Sequence, residues 1–280
     1  MGRPLSVRLR KTLKRLRPQK EPELVSVADQ MAGPGREQSI PRVVYQTAES
    51  RSVHPTHAKS IAEFRGLNPD LAFHMFDVAE RDTYMQSTWS GHGILDVYER
   101  AVFGQMKADI FRYCVVFERG GYYFDFNKGC ATPLTSLHPP MAEGLVSYET
   151  NPELIFPETP LATELQNPFN LVVQWAFGFR KNHPFLEMLI ERIVEIEPFF
   201  RDKVFQHTKA AILTASGPGI FTSVLRECVR QNGLGSIKEA GEDFNGTGIF
   251  RLRGSKFLQS ARDDYGKLNN QIVIHGPDTV

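Results

Sequence analysis

Between residues 107 and 127 the chain reads KADIFRYCVVFERGGYYFDFN, and the period of its apolar positions changes midway. Ile110, Phe111, Cys114, Val115 and Val116 recur at helical spacing, with Asp109 and Arg112 three apart on one face. Gly120 and Gly121 stop that helix. From Tyr122 the period drops to two, so Tyr122, Phe124 and Phe126 fall on one side of a predicted strand and Tyr123, Asp125 and Asn127 on the other. If the chain doubles back at the glycines, Asp109 lies roughly 16 Å up the helix at ~1.5 Å per residue, and Asp125 roughly 16 Å along the strand at ~3.3 Å per residue. Arg112 and Tyr123 come level in the same way. One helix–strand hairpin would then gather two carboxylates, a guanidinium and a phenol around a point.

The rest of the pattern predicts short strands over residues 42–46, 71–76 and 145–148, and helices over 60–65, 95–119, 185–196 and 220–229. This alternation argues for an α/β fold, a layered sheet with helices on both faces, in which ligands sit beyond the carboxyl ends of the strands. Gln46, Thr47, Asp77 and Asp125 fall near such ends. Helix 185–196 opens at Pro184, stops at Pro198 and reads as core, with His183 in a turn or cap role. The SGPG at 216–219 precedes a helix; it either points backbone amides at a phosphate or is a tight turn. Residues 22–39 are polar and carry Pro and Gly, so the expected organisation is a basic tail and linker over 1–39 and one folded domain over 40–280.

Composition narrows the function by exclusion. The 280 residues, 41% hydrophobic with 20 Phe, suffice for one sizeable core. A net charge of +1 gives no reason to expect nucleic acid. Cys114, Cys130 and Cys228 form no CxxC pair and no even framework, so neither a zinc site nor a disulfide scaffold is indicated. Walker A, GxGxxG, HExxH and GxSxG patterns are missing. A calcium loop counted from Asp125 fails at its twelfth position, Ser136, where a bidentate Glu is needed. No apolar run approaches the ~18 residues of a spanning helix, and the N-terminus lacks a signal-peptide core, which predicts a cytoplasmic protein. Eight Arg and Lys residues precede the first acid, Glu21, and Leu5, Leu9, Leu13 and Leu16 would share a helical face. That pattern fits either a peripheral anchor on the anionic inner membrane surface or a disordered basic tail.

The central segment carries the chemistry. Carboxylates inside an aromatic strand are costly to bury unless a cation or hydrogen bonds compensate them. With Asp109, Arg112, Tyr113, Gly120, Gly121, Tyr123 and Asp125 in place, the segment resembles the core motif of the DXD-containing sugar-binding-region glycosyltransferases, glycosyltransferase family 32, which includes fungal α-mannosyltransferases and bacterial capsular polysaccharide glycosyltransferases. Further landmarks follow in the family's order: IPRVVYQT at 40–47, LAFHMFD at 71–77, RKNHPF at 180–185, SGPG at 216–219 and VIH at 273–275. The chain departs from the pattern at Asn127, where the second aspartate of the motif stands, at Tyr45 and Gln174, and after His275, where a Trp is common.

The resemblance implies a GT-A type, Rossmann-like mixed sheet and transfer of a hexose, with retention, from a nucleotide diphosphate sugar to a saccharide or lipid-linked acceptor in polysaccharide or glycoconjugate synthesis. It implies that Asp109, Arg112 and Asp125 are catalytic, and that they bind the donor together with Tyr123. Gln46, Thr47 and Asp77 are further donor-binding candidates. Asp125, Asn127 and His275 are expected to hold Mn²⁺ or Mg²⁺, weakly because an Asn carbonyl lacks a carboxylate's charge. Two other readings stay open: a nucleotide-sugar-binding protein without turnover, marked by Asn127, and a membrane-bound scaffold working through its basic tail.

Overall fold

The computed structural model describes residues 23–150, 160–258 and 268–277. Six strands form the main sheet: β1 (Val43–Thr47), β2 (Ala72–Phe76), β3 (Gly121–Phe124), β4 (Gly144–Tyr148), β5 (Ala176–Phe179) and β6 (Ile237–Glu242), in the order β6-β4-β5-β3-β1-β2. Only β5 runs antiparallel to its neighbours β3 and β4; the pairs β1–β2, β1–β3 and β4–β6 are parallel. This is the α/β layering that the alternation of elements predicts, with the mixed sheet that the family resemblance implies.

Register assigns the two faces. Tyr45 is level with Tyr123 and Val44 with Tyr122, so the alternating side chains of β1 and β3 separate into two cores. Tyr45, Tyr123, Val146 and Phe177 lie beneath α3 (Gly93–Arg100), α4 (Gly104–Arg119), α5 (Pro184–Phe200), α6 (Thr208–Ala215) and α7 (Pro218–Asn232). Val44, Phe73, Tyr122, Phe124 and Leu145 pack on the opposite face with Phe64 of α1 (Pro55–Gly66), Leu134 and Phe244. The helix α2 (Val78–Thr88) follows β2 at the sheet edge. The ring of Phe177 lies 6.0 Å from that of Tyr123, 6.2 Å from Tyr113 and 5.1 Å from Phe221, centroid to centroid, so β3, β5, α4 and α7 share one aromatic contact. Truncating such a side chain to Ala costs roughly 3–5 kcal/mol.

The fold-back between α4 and β3 depends on its two glycines. Gly120 has φ +69° and Gly121 φ +116°, conformations that L side chains rarely adopt. A Cβ on Gly120 would stand 2.6 Å from the Lys181 nitrogen, and one on Gly121 2.7 Å from the Val43 oxygen. The helix therefore turns directly into the strand, pressed against β1.

Several predicted boundaries move. The helix expected over 95–119 is two helices, because Ala101 is extended and bridges Ile274, a contact across the whole chain that local periodicity cannot report. The strand expected to reach Asn127 ends at Phe124. There the chain turns from Asp125 to Lys128, whose amide donates to the Asp125 carbonyl at 2.8 Å, and the turn-forming Asp, Asn and Gly override the alternation. Asn127 is thus not level with Asp125 on a strand face. Helix α5 continues through Pro198 to Phe200. The stretch read as linker is laid along the domain from Leu24 on: Val25–Ser26 pairs with Ser52–Val53, Val27 is buried, Gln30 bridges Phe73, and Gln38 donates to the Tyr122 hydroxyl at 2.9 Å. The basic tail lies outside the described residues. Among those described, no helix is long and apolar enough to cross a membrane.

Candidate functional site

At the carboxyl end of β3, Arg112 of α4 joins the two carboxylates of the central segment. One terminal nitrogen, Nη2, lies 3.1 Å from Asp109 Oδ1 and 3.0 Å from Asp125 Oδ1. The other, Nη1, donates to the side-chain and backbone oxygens of Gln174 at 2.8 and 3.2 Å. The guanidinium stacks 4.6 Å above the Tyr123 ring, and the Tyr123 hydroxyl donates to Asp125 Oδ1 at 3.1 Å. Helix rise and strand rise therefore bring Asp109, Arg112, Tyr123 and Asp125 to one place.

Residues remote in sequence fix this group. Gln174, just before β5, donates from Nε2 to Asp109 Oδ1 at 3.0 Å and to the Tyr113 hydroxyl at 2.6 Å. Ser216, before α7, donates to Asp109 Oδ2 at 2.9 Å, while its carbonyl accepts from Tyr113 at 2.6 Å. Both oxygens of Asp109 are thus held and its plane is set. Of the SGPG stretch, the part that reaches the site is the Ser216 side chain. Sequence reading treated Gln174 as a family variation and Ser216 as part of either a phosphate-directed loop or a tight turn. Their role depends on contacts 65 and 107 residues away, for which the sequence carries no local signal.

Burial dominates the electrostatics. It pushes the Asp109 carboxyl up to about 6, although Arg112, Gln174 and Ser216 all favour the charged form. Burial also works against the Arg112 cation, yet Asp125, Tyr123 and Asp109 outweigh it and hold the guanidinium firmly protonated. The Tyr123 phenol is raised far above its ordinary range by burial, so it is a hydrogen-bond donor here. Asp109 and Arg112 are enclosed, whereas the Asp125 side chain keeps 29% of its surface open. Asp125 is the open edge of the cluster.

The other candidates have separate partners. Gln46, on the α1 side of β1, accepts from Arg65 at 3.3 Å, and its buried Nε2 has no partner. Thr47 donates to the Phe76 carbonyl at 3.0 Å. Asp77 caps α2 in a reciprocal box with Glu80, the two bonds each 2.9 Å. His183 caps α5. His275 is tied by its backbone to Arg100, with its amide donating to the Arg100 carbonyl at 3.0 Å and its carbonyl accepting from Arg100 Nη1 at 3.1 Å.

The donor set fits a divalent metal poorly. Asp125 Oδ1 is already engaged by Arg112 and Tyr123, Asn127 is neutral and displaced into the turn, and no contact links His275 to either. Among the described residues no group of three His, Cys, Asp or Glu is placed to share an ion. A cation that sequence reading overlooked, Lys128, sits in the same turn. Burial lowers its ammonium to about 8, with Asp125 and Glu149 acting in the opposite sense.

No established family model matches the sequence. The chain is 25% identical over 198 residues to inositol phosphoceramide mannosyltransferase 1 of Schizosaccharomyces pombe, covering 70% of this chain and 54% of that protein. It is 26% identical over 209 residues to the initiation-specific alpha-1,6-mannosyltransferase of Candida albicans, covering 67% and 53%. The chain spans about half the length of these curated relatives. The likeness to fungal mannosyltransferases read from the central motif is therefore present along most of the chain. The PaToxG glycosyltransferase structure aligns with 70% of this chain and 72% of its own, at a TM-score of 0.49 and 14% identity.

Proposed function

We propose that this chain is a GT-A type glycosyltransferase that moves a hexose from a nucleotide diphosphate sugar to a saccharide or lipid-linked acceptor, with retention. The observation that supports the reading is the Asp109–Arg112–Asp125 cluster at the carboxyl end of a central strand, half enclosed and opening at Asp125. Sugar hydroxyls need acceptors and donors together, and this cluster offers both within a few ångströms. The relatives' names favour mannose as the hexose, and one of them favours an inositol phosphoceramide as acceptor.

In this reading Asp109, its oxygens fixed by Gln174 and Ser216, and Arg112 grip the hydroxyls of the donor sugar. Asp125 accepts from the sugar or ribose at the open edge. The acceptor hydroxyl attacks C1 on the face that the diphosphate leaves; the C1–O bond to the diphosphate breaks, and the hydroxyl proton passes to a departing phosphate oxygen. No protein nucleophile is required. A preorganised, poorly solvated cluster favours the charge that develops in such a step.

A second reading, donor binding without turnover, rests on Asn127. Incubating the purified chain with a panel of UDP- and GDP-sugars and measuring nucleotide release separates the two. The transferase reading expects turnover of at least one donor, falling at least tenfold in Asp125→Ala, equivalent to ~1.4 kcal/mol of barrier. Binding without release would establish the second reading, and neither binding nor release would sink both.

A further inference from the structure

Positions 127 and 128 combine a loss and a gain of charge. Two residues after Asp125 the chain carries neutral Asn127, where the motif it resembles has a second carboxylate, and immediately after that a lysine. Lys128 is 7% exposed, yet among the described residues its ammonium makes no hydrogen bond and no ion pair. It lies instead 3.0 Å from the centre of the Phe250 ring and 5.3 Å from that of Trp175. Ring faces offset part of the lost hydration of a cation, but buried charges are ordinarily paired. An ammonium held against rings at the edge of a carboxylate cluster can pair with an anion that reaches it.

The neighbouring charges identify which anion. Asp125 and Glu149 attract the ammonium, and Arg251 and Arg112 oppose it. Within the cluster, Asp109 and Asp125 are balanced by Arg112 and Lys128, and Asp109 and Glu149 are already held by Ser216 and Trp175, so a divalent metal would enter beside two cations with Asp125 as its most open carboxylate. A diphosphate instead brings oxygens to the ammonium while its sugar reaches Arg112 and Asp109. Phe250 is 58% exposed, so the ring that covers Lys128 is itself at the surface and can be displaced by a phosphate.

We propose that the Lys128 ammonium binds the donor's diphosphate and takes the place of a divalent cation in neutralising it as it leaves. This rests on the nucleotide-sugar reading above. Only charge pairing is involved, and the lysine transfers no proton.

The test is calorimetric titration of the full chain with UDP and with GDP, in EDTA and in Mn²⁺. Wild-type protein is expected to bind one of them equally well in both. Lys128→Met, which preserves length and can fill the space between the rings, is expected to weaken binding at least tenfold with an unchanged melting temperature, and Lys128→Arg to retain it within threefold. Nucleotide binding that needs Mn²⁺ and is equal in wild type and Lys128→Met would overturn the proposal while leaving the transferase reading intact. So would a Lys128→Met variant that loses stability but binds normally, since the lysine would then only staple Phe250. If neither nucleotide binds with or without Mn²⁺, the proposal falls together with the donor-binding reading. Should Lys128→Met fail to fold, the wild-type comparison in EDTA and Mn²⁺ decides alone.

Discussion

Two buried carboxylate–guanidinium clusters stand in this molecule with opposite proportions. Glu197 of α5 meets two arginines: Arg100 Nη1 at 2.7 Å, and Arg201 through Nε at 2.9 Å and Nη2 at 2.6 Å. Burial opposes its charge, but the arginines prevail and lower its carboxyl below the usual range. Arg100 also holds the His275 carbonyl, so the cluster pins the segment before Gly276 against α3. At the end of β3 the ratio is reversed, with two carboxylates sharing one guanidinium, and there burial raises Asp109. A carboxylate held by two guanidinium groups has little left to offer a ligand. Two carboxylates on one guanidinium keep acceptor capacity; Arg51 with Asp29 and Glu80 has the same proportion at the surface, and the second cluster differs from it in being buried.

The largest expected effect breaks the second cluster. Arg112→Ala leaves two carboxylates without their cation and should cost about 3–5 kcal/mol of stability as well as nearly all transfer. Thermal melts and donor turnover on the same sample check it, and normal melting with normal turnover would remove Arg112 from both roles. Removing the other carboxylate should separate the two properties. Glu197→Gln gives up charged hydrogen bonds worth roughly 2–3 kcal/mol, or about 4–12 °C in melting temperature, while turnover per folded molecule stays within threefold of wild type.

The pH response of Asp109 comes next, and its sign differs between stability and activity. The folded carboxyl titrates at about 6 against an ordinary 3.8, so its neutral form is favoured by folding. Its contribution to stability is full below about 4 and is lost as pH rises through about 6. Turnover needs the charged acceptor and should rise over that same interval. Ser216→Ala removes a hydrogen bond that favours the charge and should move the acid limb of kcat/KM upward; an unmoved limb would mean that another group sets it. Facing groups from α4, β3 and the segment before β5 (Arg112, Tyr113, Asp125, Gln174) are unchanged in that variant. The smallest effect is expected outside both clusters: Asp77→Ala removes the α2 cap at about 1 kcal/mol, measured by denaturant midpoint, with donor affinity unchanged.

The comparison also shows what could be read ahead of the fold. Asp109, Arg112, Tyr123 and Asp125 were legible because a helix and a strand joined by two glycines have known rises, and distance along the chain becomes distance in space. The layered α/β arrangement followed from alternating periods, whereas the mixed sheet was implied only by the family resemblance. Periodicity could not distinguish Asp125, at the open edge of the cluster, from Asp77, which caps the start of α2, because both simply follow strands.

The sequence by itself determined local geometry: where α4 stops, how β3 leaves it, and which side chains share a face. Tertiary structure decided occupancy. Gln174 and Ser216 reach Asp109 only once β5 and α7 have packed on β3 and α4, and Ala101 breaks a helix because Ile274 returns from the far end of the chain. The depth to which Lys128 is covered depends in the same way on Phe250 and Trp175. Hydrogen bonding and burial over such separations depend on packing, and a charge's environment is fixed only when every element around it is in place.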